Sequence, residues 1–209
     1  MPGVAEPKVR MGKRALAKEA NRRAILEAAR AVFARIGYEA ANIRDIIRET
    51  ELASGTFYNY FKSKEEVFEA IANDSIARFR PLLQKVREEA KDLESYLYAA
   101  FGAYFSFLAD ENNEAIEVGT PHMSLIGVRI DTPEMQSISD EIAADLEIVM
   151  DKIGLGHLDI KYITAAASGM AREMGDQMLE RRPLDPEGAT TFAAKVMLAG
   201  IEALAKSDH

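Results

Sequence analysis

The chain has 209 residues, a formal net charge of -8 and no cysteine. A disulfide framework, a thiolate nucleophile and any Cys-based zinc or iron–sulfur site are therefore excluded, and the length suits a small module of about 50 residues joined to a body of about 150. No apolar run reads as a bilayer span and the polar, basic start lacks the apolar stretch of a secretory signal, so the expectation is a cytoplasmic protein with no membrane partner.

Residues 1–18, with Pro2, Gly3, Pro7, Lys8, Arg10, Lys13, Arg14 and Lys18, read as a flexible basic arm. From Glu19 onward Ile25, Ala28, Ala29, Val32, Phe33 and Ile36 recur at the three- and four-residue steps of a helix, which Gly37 stops. Asn42 is a suitable N-cap for a short helix reaching about Thr50, with Asp45 at its third position and Ile43, Ile46 and Ile47 as the buried stripe. A second short helix begins near Ser54 and carries Phe57, Tyr58, Tyr60 and Phe61; Ser63-Lys64-Glu65-Glu66 then forms a capping box that opens a long helix with Val67, Phe68, Ile71 and Ile76 inward, ended by Pro81. Two short helices joined tightly, between a supporting helix and a capped one, spell a helix-turn-helix over 42–61.

Beyond Pro81 the pattern predicts helices over 82–91, 93–110, 113–127, 133–154, 158–181 and 185–206, with a kink or break at Pro121 and punctuation at Pro133, Gly154, Gly156, Pro183 and Pro186. No alternating β-branched run argues for a sheet. The predicted fold is all-α: the arm (1–18), an N-terminal three-helix helix-turn-helix domain (19–64) and a C-terminal helical domain (65–209).

Charge supports this division. Residues 1–64 hold 13 Lys+Arg against 7 Asp+Glu, and the remainder 13 against 27. A basic head on an acidic body fits a head that meets phosphate, although a solvated basic tail gives the same balance.

Ile43-Arg44-Asp45-Ile46, followed by Gly55-Thr56-Phe57-Tyr58-Asn59-Tyr60-Phe61-Lys62-Ser63-Lys64-Glu65, resembles the TetR family of transcription regulators. The resemblance runs over about residues 19–70, roughly a quarter of the chain; the rest matches the family in length and helical character. It implies that residues 54–60 form the recognition helix in the major groove of double-stranded operator DNA. Ser54 and Asn59 then meet base edges or phosphates, Thr56, Tyr58 and Tyr60 donate hydroxyls to phosphates, Lys64 pairs with a phosphate, Asn42 caps its helix and touches the backbone, and Gly55 permits close approach; Arg44 and Lys62 complete the DNA-binding set. These roles suit the side chains, since Tyr hydroxyls and Lys ammonium groups match phosphate oxygens and Asn pairs bidentately with adenine. Phe57 and Phe61 read as core, whereas Tyr58 and Tyr60 read either as half-buried wedges or as contacts.

The turn departs from the family pattern. Thr50-Glu51-Leu52-Ala53 stands where Ala-Gly-Val-Ser is usual. Glu51 at a positive φ would cost about 1 kcal/mol, and Ala53 lacks the hydroxyl of an N-cap unless Ser54 replaces it. This leaves open an alternative, a small-molecule-binding helical protein with weak or lost operator binding.

The resemblance also implies a homodimer through the last two long helices. Small residues support it: Ala165, Ala166, Ser168, Gly169 and Ala171 in one, and Ala189, Ala193, Ala194, Ala199, Gly200 and Ala203 in the other. The same residues suit close packing inside one chain. A small-molecule effector would lie between helices of the body. Phe101, Tyr104 and Phe105, with Met123, Met150, Met170, Met174 and Met178, offer an apolar lining, and His122 a polar anchor, although an aromatic stripe is more often plain core and a lone histidine more often structural. There is no His-Glu-x-x-His, no phosphate-cradling glycine loop and no Gly-x-Ser-x-Gly. No enzymatic activity, catalytic residue, metal or cofactor is expected.

Overall fold

The structure, a computed structural model, describes residues 12–117 and 132–207. Among them the chain forms eight helices and no strand: α1 (Lys13–Ile36), α2 (Ile43–Arg48), α3 (Ser54–Phe57), α4 (Lys64–Glu89), α5 (Leu93–Glu117), α6 (Pro133–Lys152), α7 (Ile160–Glu180) and α8 (Pro186–Ser207). The chain divides into two compact units, Met1–Phe68 and Glu69–His209.

In the first unit α2 packs on α1 and on α3. Ile25, Ala29, Val32 and Phe33 of α1 close against a core completed by Ile46, Ile47, Phe57, Phe61, Val67 and Phe68. Phe68 belongs here because its ring packs 5.1 Å from that of Tyr38 and 6.3 Å from that of Phe33, which carries this unit four residues past the boundary expected at 64. Helix α1 begins at Lys13, inside the segment read as a flexible arm; the run from Lys13 to Arg23 contains mostly strong helix formers and no glycine or proline. Gly37 ends α1 at φ 80°, with its amide donating to the Phe33 carbonyl.

In the second unit α5 packs most extensively on α8, and α7 contacts α5, α6 and α8. Its core joins Tyr96, Leu97, Phe101, Phe105 and Leu108 of α5 to Leu146 and Met150 of α6, Met178 and Leu179 of α7, and Ala193, Ala194, Met197 and Ile201 of α8. Two expected breaks are absent. Helix α4 runs through Pro81, because the buried face of Ile71, Ala72 and Ser75 continues in register with Leu83 and Val86; packing along that face outweighs the roughly 3 kcal/mol of an interior proline. Helix α5 continues past 110 to Glu117, held by Asn112, whose Nδ2 donates to the Leu108 carbonyl at 2.8 Å, and by Glu111, which pairs with Arg78. Pro121 and most of the helix expected over 113–127 lie outside the described residues.

Helix α8 also departs from expectation. Residues 186–206, with a mean hydropathy of 1.2, are by length and composition apolar enough to cross a membrane, and are alone in this among the described residues. Both faces explain it. Ala189, Ala193, Ala194, Met197 and Ile201 enter the core, while Phe192 (62% exposed), Val196, Ala199, Gly200 and Leu204 face outward together with Lys195 and Glu202.

Candidate nucleic-acid interface

The candidate site is built from three chain reversals in the first unit. At the start of α2, Asn42 Oδ1 accepts from the amides of Arg44 (2.9 Å) and Asp45 (3.2 Å), while Asp45 Oδ2 accepts from the Asn42 amide at 3.1 Å. This reciprocal box fixes the helix entry and leaves Arg44 exposed beside it. At the turn, Thr50 Oγ1 donates to the Ile47 carbonyl at 2.9 Å and accepts from the Leu52 amide at 3.2 Å. No non-glycine residue among those described has positive φ, so the strain anticipated at Glu51 is absent: the threonine hydroxyl holds the reversal and a glycine conformation is not required.

Helix α3 is shorter than the recognition helix implied over 54–60. Only Ser54–Phe57 is α-helical; Ala53 is the N-cap without a side-chain bond, and Ser54 does not take its place. With no cap and a glycine as the second helical residue, little local stability favours a longer helix. The chain continues in turns, the amides of Asn59 and Tyr60 donating to the Thr56 and Phe57 carbonyls at 3.1 and 2.9 Å. Phe57 and Phe61 are buried, and Ser54, Gly55 and Asn59 are exposed, with Thr56 half-buried. The two tyrosines separate. Tyr58 is 62% exposed with its ring edge against Phe57. Tyr60 is half-buried and accepts a hydrogen bond from Asn21 Nδ2 at 3.1 Å, which leaves its own proton to donate.

At the start of α4 the Glu66 amide donates to Ser63 Oγ at 3.2 Å, and the Glu66 carboxylate accepts from the Lys62 amide at 2.6 Å. This is the expected capping box displaced by one residue at its carboxylate end. Lys62 is exposed. Lys64 is placed differently from the expectation of a phosphate contact: Nζ donates to the carbonyls of Tyr38 (2.9 Å), Ala41 (3.0 Å) and Glu39 (3.2 Å). All three ammonium protons are directed inward.

An open groove brings together Asn42, Arg44, Tyr58, Lys62 and Lys64, with Ser63 and Glu65 on its wall. Ser54, Gly55, Thr56 and Asn59 do not line it. Two positions were missed from sequence. Tyr38 underlies Lys64 and donates to Glu65 Oε1 at 3.3 Å, its hydroxyl pushed up to about 12 by burial and then by the Glu65 carboxylate. Asn21 orients Tyr60. An aromatic residue directly after the helix-stopping Gly37 was the one signal for Tyr38; nothing in the α1 pattern marked Asn21.

In the second unit, Phe101 and Phe105 stack at 6.1 Å and are buried in the core together with Met150 and Met178. Tyr104, Met170 and Met174 are half-buried against it. His122 and Met123 lie outside the described residues. The small residues divide between the two readings: Ala189, Ala193 and Ala194 are internal, whereas Ala165, Ala166, Ser168, Ala199, Gly200 and Ala203 are exposed.

A family model described as bacterial regulatory proteins, tetR family, matches residues 25–71, the segment that holds the capped turn, α3 and the start of α4. The chain is 23% identical over 190 residues, covering 87% of this chain and 92% of the relative, to the uncharacterized HTH-type transcriptional regulator YdgC of Bacillus subtilis. It is 30% identical over 112 residues, 51% of this chain and 60% of the relative, to the HTH-type transcriptional repressor AcnR of Corynebacterium efficiens. Its fold is similar to that of the transcriptional regulator FadR from Bacillus subtilis in complex with stearoyl-CoA, with a TM-score of 0.64 at 20% identity over 85% of this chain and 98% of that one. Residues 25–71 thus carry the tetR-family segment of bacterial regulatory proteins, and along most of its length the chain is similar to a transcriptional regulator.

Proposed function

We propose that the protein is a repressor that holds operator DNA as a homodimer and releases it when a small, mostly apolar molecule binds its helical body. The observation that carries the DNA reading is the exposure, around one groove, of Arg44, Tyr58 and Lys62 beside the capped start of α2, in a basic head on an acidic body. Arg44 and Lys62 supply charge for phosphates, and the Tyr58 and Tyr60 hydroxyls supply directed donors. Ser54, Thr56 and Asn59, presented from α3 and the turn after it, are the candidates for base edges and neighbouring phosphates.

The dimer reading rests on the outward faces of α7 and α8. Tyr162 is 78% exposed and Phe192 62%, and Ala165, Ala166, Val196, Ala199, Gly200 and Ala203 add a low, apolar surface around them. Such a surface pairs well with its own copy about a two-fold axis, and two heads spaced by one DNA turn match a palindromic operator. The ligand reading rests on the half-buried Tyr104, Met170 and Met174 at the edge of an aromatic core; the fold's similarity to a regulator solved with stearoyl-CoA makes a long-chain acyl thioester the first compound to try. Binding must favour the released state by a few kcal/mol to empty the operator.

The test is binding of the purified protein to DNA from upstream of its own gene, titrated against salt and then against stearoyl-CoA. Tight, steeply salt-dependent binding, weakened by Tyr58→Ala and reversed by the thioester, is expected. Equal, weak binding to any DNA, indifferent to that substitution, overturns the operator reading.

A further inference from the structure

Tyr104 carries a feature that core packing does not require. Its hydroxyl oxygen is fully buried and has no hydrogen-bond partner. A buried hydroxyl left without a partner is unfavourable relative to a phenylalanine of the same shape, so packing alone would select Phe at this position. The ring is well held without the oxygen: it meets Phe79 of α4 edge-on at 6.0 Å and Phe105 at 5.5 Å, and Phe79 in turn lies 5.5 Å from Phe107.

The surroundings of the oxygen are specific. Gly175 of α7 lies against it. A Cβ at Gly175 would stand 3.5 Å from the Tyr104 hydroxyl and 2.7 Å from Leu108 Cδ2, so the glycine lets α7 pack closely on α5 where the hydroxyl lies and offers it no side-chain partner. Its neighbours along α7 are Met174, half-buried against the core, and Asp176; burial first, and then the Asp176 carboxylate, drives the hydroxyl well above the ordinary tyrosine range, with Arg172 opposing. The hydroxyl is therefore a neutral donor at every physiological pH. A group that accepts its proton must be an acceptor, and the Asp176 carboxylate disfavours an anion at the same spot.

We propose that the Tyr104 hydroxyl is the polar anchor of the effector site, donating to an uncharged carbonyl oxygen on an otherwise apolar ligand that lies among Phe79, Phe107 and Met174. The inference rests on the ligand-responsive reading above and deepens it: the ligand class is an aliphatic or aromatic molecule carrying an ester, thioester, amide or ketone oxygen. A plain hydrocarbon lacks the acceptor.

The test uses full-length protein and Tyr104→Phe, which removes one oxygen and keeps the ring. The ligand-free variant should melt at the wild-type temperature or above it, because no internal bond is lost. A clearly lower melting temperature would mean that the hydroxyl is partnered within the fold and would overturn the proposal. Two probes then follow: stearoyl-CoA, and S-octadecyl-CoA, the thioether with the same chain and head group but no carbonyl. For wild type, operator release should need roughly tenfold less thioester than thioether, the worth of one neutral hydrogen bond. For Tyr104→Phe the two concentrations should be equal. Release by both probes with no preference in wild type, or with the preference intact in Tyr104→Phe, overturns the anchor while leaving the ligand-responsive reading standing. An operator complex that neither probe dissociates overturns both the anchor and the acyl-thioester reading.

Discussion

Lys64 Nζ stands 4.5 Å above the centre of the Tyr38 ring and donates to the Tyr38 backbone carbonyl at 2.9 Å. With the carbonyls of Glu39 and Ala41 also accepting from it, this one ammonium group ties the start of α4 to the connection between α1 and α2. Asn42, the cap of α2, follows directly. Lys64 therefore fixes one side of the groove through the backbone it holds, whereas the family resemblance alone assigns it to phosphate.

Lys64→Met should destabilise the first unit by about 2 kcal/mol, the loss of charge-assisted bonds to carbonyls that are left unpaired. Thermal or urea unfolding measures this. The salt dependence of operator binding should keep its wild-type slope at temperatures where the variant is folded, because no phosphate contact is lost. A shallower slope with undiminished stability would return Lys64 to the phosphate set.

Arg44 and Lys62 should behave in the opposite way. Both are exposed at the groove, and Arg44→Ala or Lys62→Ala should each lower the slope of log binding constant against log salt by about 0.9, with little change in stability. A slope unchanged in both variants would remove the groove from the interface.

The difference between these lysines was not legible in the sequence, and the reason is physical. Local signals were read well: Gly37 as a helix stop, Asn42 with Asp45 as a reciprocal cap, and Phe57 and Phe61 as core all follow from interactions within four residues. Lys64 acts on carbonyls 23 to 26 residues away, and Asn21 on Tyr60 across 39, distances at which periodicity carries no information. The breaks expected at Pro81 and after 110 failed for a related reason: a buried face that runs unbroken past Pro81, and the pairing of Glu111 with Arg78 across 33 residues, are not visible in local periodicity. In the ligand set the pattern found the aromatic stripe but could not distinguish Phe101 and Phe105, which are packed inside, from Tyr104, whose hydroxyl has no internal partner.

Gly55 gives a clean separation of folding from binding. It has no positive φ, and a Cβ added there meets nothing within 4 Å. Inside the protein the glycine is therefore unnecessary, and Gly55→Ala should leave stability unchanged or raise it by up to about 1 kcal/mol through helix propensity. If α3 approaches DNA closely, operator affinity should fall tenfold or more in the same variant. Undiminished affinity would show that the added methyl meets nothing on the DNA side either.

Tyr38 predicts a pH dependence. Its hydroxyl is raised to about 12, by burial first and by the Glu65 carboxylate second, whereas in the unfolded chain it titrates near 10. The folded state thus favours the protonated form. The associated stability is complete below about pH 10 and is lost as pH rises toward the folded value. Tyr38→Phe cannot lose it. The stability advantage of wild type over Tyr38→Phe should therefore shrink between pH 10 and 12 in denaturant titrations, and a gap that stays constant would show that the hydroxyl is no more buried in the native protein than in the unfolded one.

Arg87 and Asp145 allow a directional test in the second unit. The Asp145 carboxylate is 5% exposed and accepts from Arg87 Nε at 2.5 Å, with the Tyr96 hydroxyl 3.5 Å from its other oxygen. The Arg87 side chain is 42% exposed and also lies 3.7 Å from Glu141. Removing the arginine leaves a buried carboxylate with one long hydrogen bond, whereas removing the charge on the aspartate leaves an arginine that water and Glu141 can still solvate. Arg87→Ala should accordingly cost about 3 kcal/mol and Asp145→Asn, which keeps an acceptor for the guanidinium, closer to 1 kcal/mol. The double variant should be more stable than Arg87→Ala alone, because the unpaired buried charge is gone. Urea unfolding of the three proteins decides it: if Asp145→Asn is the costlier single change, the guanidinium depends on the pair more than the carboxylate does, and burial of Asp145 does not set the energetics of the α4–α6 bridge.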